Sequence, residues 1–165
     1  MIGYGYWLDF QDKINYAKSS QTYGVRFDGK SPQFFDRVNM VYTAEWGTQS
    51  NYASNPNHYQ ADRINLMGGL SAFDFTLQGA MEQLDGNGVN KTFNTPLGTN
   101  HAFQGWADVI KNPINASAPV AAALGKGIRD VFATASYKML NDSLLLTGIY
   151  HDFYDDTGSV RFGSE

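Results

Sequence analysis

Apolar and polar residues alternate along most of this chain with a period of two rather than 3.6, which predicts half-buried strands rather than helices. In Gly3 to Phe10, the set Tyr4, Tyr6, Leu8 and Phe10 alternates with Gly3, Gly5, Trp7 and Asp9. In Ser20 to Gly29, Tyr23, Val25 and Phe27 oppose Thr22, Gly24, Arg26 and Asp28. The third run sets Val38, Met40, Tyr42, Ala44 and Trp46 against Arg37, Asn39, Val41, Thr43 and Glu45. Asp62 to Ser71 sets Ile64, Leu66 and Leu70 against Arg63, Asn65 and Met67. Phe73 to Leu84 sets Phe73, Phe75, Leu77 and Met81 against Thr76, Gln78, Ala80 and Glu82. Ile128 to Met139 sets Val131, Ala133, Ala135 and Tyr137 against Phe132, Thr134, Ser136 and Lys138. Leu144 to Tyr154 opens on consecutive leucines; Leu144, Leu146 and Tyr150 go to the apolar face, Thr147 and His151 to the polar one.

The connections sort by length. Those at 11–19, 49–58, 85–127 and from 155 onward read as long, those at 30–34, 72 and 141–142 as short, and the two kinds alternate. In an antiparallel meander this puts long loops at one end and short turns at the other, the layout of outer-membrane barrels. The apolar rings then collect at two heights: Phe10, Tyr23, Trp46 and Tyr150 near the loop end, Tyr4, Phe27, Phe73, Phe75 and Tyr137 near the turn end. Two aromatic girdles around a band of smaller residues are a lipid signature, which the core of a soluble sandwich does not require.

The expected fold class is therefore all-β: an antiparallel, up-and-down transmembrane β-barrel, one domain over residues 1–165 with about seven strands present. Ser159 to Gly163 reads as the start of an eighth. An odd, unclosed set leaves backbone groups unpaired in lipid, so the chain is expected to be incomplete. The opening MIGYGYWLDF, which lacks the regions of a signal peptide, agrees with that expectation.

One segment, 85–127, breaks the alternation and is expected to be a long extracellular loop. Within it Phe103, Trp106, Ala107 and Ile110 follow helical spacing, with Thr99 or Asn100 as N-cap and Pro113 as stop, which predicts a short amphipathic helix. Loops of this length usually have a purpose. Folded into the lumen, it constricts the pore with Phe103 and Trp106 and presents His101, Gln104 and Asp108 to solute; packed on the rim, it only shields the mouth.

Composition narrows the picture. Aromatics make up 15% of the 165 residues, with 10 Tyr, 11 Phe and 3 Trp, while the net charge is -4 and there is no Cys. A mean hydropathy of -0.37 beside so many rings is what alternation produces. No run approaches the roughly 18 apolar residues of a membrane helix. The negative charge argues against nucleic acid as a partner, and the lack of Cys removes disulfides and thiolate metal sites.

The polar face carries the candidate site residues Arg26, Asp28, Arg37, Glu45, Arg63, Glu82 and Lys138. In a wetted lumen such residues sort solutes by charge; equally, they form salt bridges that only hold the wall together. Asp85-Gly-Asn-Gly88 has the opening of a calcium loop but lacks its remaining acidic ligands and closing Glu, and so reads as a turn. The acidic group Asp152, Asp155 and Asp156 reads as a solvated loop or as a divalent-cation site at the rim. The sequons at Asn90, Asn115 and Asn141 carry no meaning in a bacterial host. His58, His101 and His151 are far apart and no nucleophile elbow, paired-carboxylate motif or metal-spaced His cluster is present, so the expectation is no enzyme, no catalytic residue, no metal and no cofactor.

TYGVRFDGK (Thr22 to Lys30), VYTAEWGTQSNYASNPNHYQAD (Val41 to Asp62), FNTPLGTNHAFQGWAD (Phe93 to Asp108) and GIYHDFYDD (Gly148 to Asp156) resemble the alginate-export family of Gram-negative outer-membrane porins. The resemblance runs through nearly the whole chain and is similar to the C-terminal portion of those longer proteins. It implies a monomeric, many-stranded barrel in the bacterial outer membrane, with lipid and lipopolysaccharide as neighbours and passive passage of a polar or anionic solute. The best-known members export an anionic polysaccharide through a strongly basic lumen; here Asp28, Glu45 and Glu82 are mixed with the bases. The alternatives are a non-channel barrel acting as a structural or binding protein at the cell surface, and a soluble lipocalin-like barrel with the Tyr42, Leu66 and Leu77 face inward.

Overall fold

A computed structural model describes residues 1–34, 37–88, 91–95, 125 and 127–165. The described residues form one antiparallel sheet of eight strands in sequence order: β1 (Ile2–Leu8), β2 (Ser20–Lys30), β3 (Asn39–Asn51), β4 (Gln60–Ala72), β5 (Phe75–Asp85), β6 (Gly127–Met139), β7 (Leu144–Tyr154) and β8 (Arg161–Ser164). A short 3-10 segment, Lys13–Lys18, capped by Asp12 accepting from the Ile14 N–H, fills the first connection. Strands β1 and β8 are the two edges; the sheet is open. No helix among the described residues is long and apolar enough to cross a membrane.

Register fixes the two faces. Phe27↔Ala44, Ala44↔Leu66, Leu66↔Met81, Met81↔Val131 and Tyr137↔Leu146 place the expected apolar residues of β2 to β7 on one face. That face is the uncovered one: Tyr23, Trp46, Leu66, Leu77, Tyr137 and Tyr150 are each exposed by 43–54%. Burial instead falls on the polar face, at Thr43, Glu45, Gln49, Glu82, Asp130 and His151. The sheet is therefore polar where it is covered and apolar where it is bare, the reverse of a soluble sandwich.

Five expectations are corrected. Strand β1 faces the other way, because Tyr4 pairs with Gly24 and Tyr6 with Thr22, so Tyr4, Tyr6 and Leu8 lie on the polar face while Trp7 donates from Nε1 to the Tyr23 hydroxyl on the apolar face. Phe10 lies beyond the strand, so Tyr4 and Phe10 leave the two aromatic rows and Trp7 joins the loop-end one. The separation of loop lengths is also weaker than it reads, since the connection at 31–38 is as long as that at 52–59. Arg37 sits in that connection rather than in β3, and Phe73 forms a two-residue turn with Asp74 rather than opening β5. Strand β8 is the expected eighth run, beginning at Arg161.

The short turns carry strained backbone. Phe73 and Asp74 take φ of 49° and 66°, the double left-handed geometry that lets a two-residue hairpin follow the twist of its strands. In the β6–β7 turn Leu140, Asn141 and Asp142 take φ of 54°, 53° and 66°. Leu tolerates this region worst, at a cost of about 1–2 kcal/mol. Leu140→Asn is expected to raise the denaturant midpoint of the folded protein by an amount equivalent to about 1 kcal/mol; an unchanged or lower midpoint counts against strain at this turn.

Candidate functional site

One row of the polar face crosses the sheet at a single height: Arg26↔Glu45, Glu45↔Asn65, Asn65↔Glu82, Glu82↔Asp130 and Asp130↔Phe153. Arg63, two residues from Asn65 on β4, reaches both acids from between them. Its Nη1 lies 2.6 Å from Glu45 Oε1, and Nη2 and Nε lie 2.7 and 2.8 Å from Glu82 Oε1. Arg26 Nη1 takes the other oxygen of Glu45 at 3.1 Å, and its Nε takes Asp28 at 2.8 Å. The result is an alternating chain of charges, Asp28, Arg26, Glu45, Arg63, Glu82, in which each guanidinium spans two carboxylates. Five of the seven sequence-derived polar-face residues are joined here, and they satisfy one another. Arg37 and Lys138 lie apart, near the short turns, where the Arg37 guanidinium rests 5.6 Å from the Phe73 ring centroid and Lys138 pairs with Asp142 at 3.4 Å.

Tyr4 completes the row, donating its hydroxyl to Glu45 Oε1 at 2.8 Å. Its ring lies across β2 and β3 because two glycines vacate the surface beneath it. A Cβ on Gly24 would stand 2.3 Å from the Tyr4 hydroxyl and one on Gly47 would stand 2.9 Å from it. At the far end of the row His151 Nδ1 and Asp130 Oδ2 share a hydrogen bond of 2.8 Å, and the His151 ring lies stacked with Phe132 and Phe153 at 5.1 and 5.4 Å. Asp130 is 1% exposed, and its Oδ1 has no hydrogen-bond partner among the described residues.

The start of the long connection after β5 crosses this face. Gly86↔Thr92 pairing turns the chain back, and Phe93 is buried against Ala61 and Leu84 with Tyr59 alongside. Gln49 then clamps Asn94 as a strand would: its Nε2 donates to the Asn94 carbonyl and its Oε1 accepts the Asn94 N–H, both at 2.8 Å. Between β1 to β4 and this crossing segment lies a cavity of about 650 Å³, lined by Tyr4, Tyr6, Arg26, Arg63, Phe93 and Asn94 among others. His101, Phe103, Gln104, Trp106 and Asp108, with the helix expected around them, lie outside the described residues.

The acidic group at the loop end is occupied by its own neighbours. Asp152 pairs with Arg161 at 2.7 Å and accepts from Tyr154; Asp156 accepts the Gly86 N–H. Asp155 is fully buried, and burial opposes its charge. Hydrogen bonds from the Val160 N–H, the Ser159 and Thr157 hydroxyls and the Ser159 N–H outweigh that and hold its carboxyl at about 2. Among the described residues no group of three or more His, Asp or Glu is arranged to hold a metal ion. The Gly-rich stretch after Asp85 is a turn, with the Lys91 N–H donating to the Gly88 carbonyl.

Tyr4, Gln49, Asp130 and the Asn94 backbone are the site groups that sequence reading missed. The paired inner glycines, Gly24 and Gly47, were the available sign that a ring crosses there. Comparison with protein families, curated proteins and solved structures finds no match to this chain.

Arg63→Met leaves the covered Glu82 without a cation and Glu45 with Arg26 and Tyr4 alone, and is expected to cost about 3–5 kcal/mol, read from denaturant unfolding. Adding Glu45→Gln and Glu82→Gln is expected to recover most of it; no recovery would mean that Arg63 acts by packing. At Asp155 the folded value lies below the ordinary 3.8, so its stabilisation is full above about pH 4 and is lost as pH falls through about 2. The amide shifts of Ser159 and Val160 should therefore hold constant from neutral pH to about 4 and move below it, whereas Asp155→Asn should abolish that titration.

Proposed function

We propose that this sheet is wall of an outer-membrane β-barrel that lets a polar or anionic solute pass down its gradient, without chemistry and without a cofactor. The observation that carries the reading is the inversion of faces: large apolar side chains of β2 to β7 are bare while Glu45, Glu82 and Asp130 are covered. Water penalises such a surface, and lipid rewards it. Strands of 11 and 13 residues in β2 to β7 meet or exceed the about 9–11 needed to span a bilayer. Tyr23 and Trp46 toward the loops, and Phe75 and Tyr137 toward the turns, suit the two headgroup layers, whereas the ladder sets Tyr150 on the turn side of Phe27, so those two rings depart from the expected girdles. On this reading β1 and β8 both need partners, since an open edge in lipid leaves backbone groups unpaired. The resemblance to the alginate-export porins points the same way, to a monomer surrounded by lipid and lipopolysaccharide.

The crossing of the polar face by Phe93 and Asn94 also favours a second reading, a plugged barrel that acts as a surface binding or structural protein. The bare Tyr42, Leu66 and Leu77 face does not favour a soluble ligand barrel. Conductance separates the first two. Full-length protein in planar bilayers is expected to form pores, with Phe93→Ala increasing single-channel conductance; folded protein that stays silent, with or without that substitution, would favour the plug.

A further inference from the structure

The charges of the polar face are not evenly neutralised along its length. At mid-height Arg26 and Arg63 are consumed by Asp28, Glu45 and Glu82. Toward the loops, on the opposite face, Arg161 is held by Asp152 and Arg129 by Gln83 and the Asp156 carbonyl. At the short-turn end the balance differs: a second cavity of about 430 Å³ brings together Lys30, Arg37 and Lys138. The alternation places Lys30 two residues beyond Asp28, and Lys138 two beyond Ser136, so both belong to the polar face.

Among the described residues, carboxylates near this basin are few. Asp74 lines it, and Asp142 holds Lys138 only loosely, with both side chains more than half exposed. Asp28, the next acid on β2, is taken by Arg26. Among the described residues neither Lys30 nor Arg37 has a carboxylate partner. Behind the cations runs a row of small neutral donors, Asn39, Ser71 and Thr76, paired across β3, β4 and β5, with the Thr76 hydroxyl donating to Ser71 Oγ at 3.0 Å. The Arg37 guanidinium lies 5.6 Å from the centroid of the Phe73 ring, which projects from the two-residue turn. A planar fork placed in this way, with two point charges and neutral hydroxyls around it, matches the oxygens of a carboxylate or phosphate.

We propose that this basin is an oxyanion-capture site, at which a carboxylate- or phosphate-bearing solute is held before it moves along the polar face. The step after capture rests on the channel reading; the binding itself does not. On that reading the short turns face the periplasm, so the site collects solute from that side, and the self-paired row at mid-height adds little selection by charge.

The test uses full-length protein in detergent, with inorganic phosphate and succinate as probes followed by isothermal titration. Saturable binding is expected, weakened at least tenfold by Lys30→Gln, Arg37→Gln and Lys138→Gln together and several-fold by Arg37→Lys, which keeps the charge but loses the fork. Arg161→Gln at the opposite end should leave it unchanged. If the triple variant fails to fold, Arg37→Gln alone must still weaken binding. Equal binding by wild type and variants overturns the site, and so does displacement of phosphate by phosphatidylglycerol, which would assign the basin to a lipid headgroup. Reversal potentials in bilayers separate this from the channel reading. Pores whose anion preference and phosphate binding ignore these substitutions sink the site alone, whereas silent bilayers with substitution-sensitive phosphate binding sink the channel alone.

Discussion

Glu45 and Glu82 stand on strands separated by only one other, both covered, and a single guanidinium between them makes that arrangement tolerable. Arg63 turns what would be a repulsive pair into a clamp across β3, β4 and β5. The strict alternation of the strands depends on it: if charge can be satisfied on the covered face, the opposite face is free to be wholly apolar. A one-residue slip of β4 would send Arg63 to the apolar side, leaving Glu82 without a cation and Glu45 with Arg26 as its one remaining cation. The pairing thus fixes register as well as energy.

Much of this was legible in the sequence, for a physical reason. Alternation reports which residues share a face whatever the face contacts, so the strands from Ser20 onward and the sides of Glu45, Arg63, Glu82, Lys138 and His151 could be read directly. Strand β1 misled because its Gly and Tyr residues alternate as cleanly as any others, and ring size suggested the apolar face. The glycines that accommodate Tyr4, Gly24 and Gly47, belong to other strands, and a period within one strand cannot report them. Arg37 was placed on a strand because its spacing continued that of β3, although the chain there is a turn. Lys30 was read as the start of a connection, which hid its closeness to Arg37 and Lys138.

The candidate site was legible in its members but not in their grouping. Seven charged residues on one face looked like one lumen; in space five form a closed chain and two join Lys30 elsewhere. Which carboxylate a guanidinium reaches depends on diagonal neighbours across strands, and those follow from register rather than composition. Asp130 illustrates the same point. It sits beside Glu82 in the row, yet its partner is His151 from the strand on its other side.

The Tyr4 ring has one more consequence. An edge strand held only by its ladder to β2 can shift by two residues and keep both its face and its hydrogen-bond pattern. The phenol prevents this, because its hydroxyl must reach Glu45 on β3 and its ring must lie over Gly24, which is the only residue on that face of β2 without a side chain between Thr22 and Asp28. Tyr4 therefore acts as an index pin: it sets the stagger of the outermost strand against the third, and any strand that later adds to the β1 edge inherits that stagger.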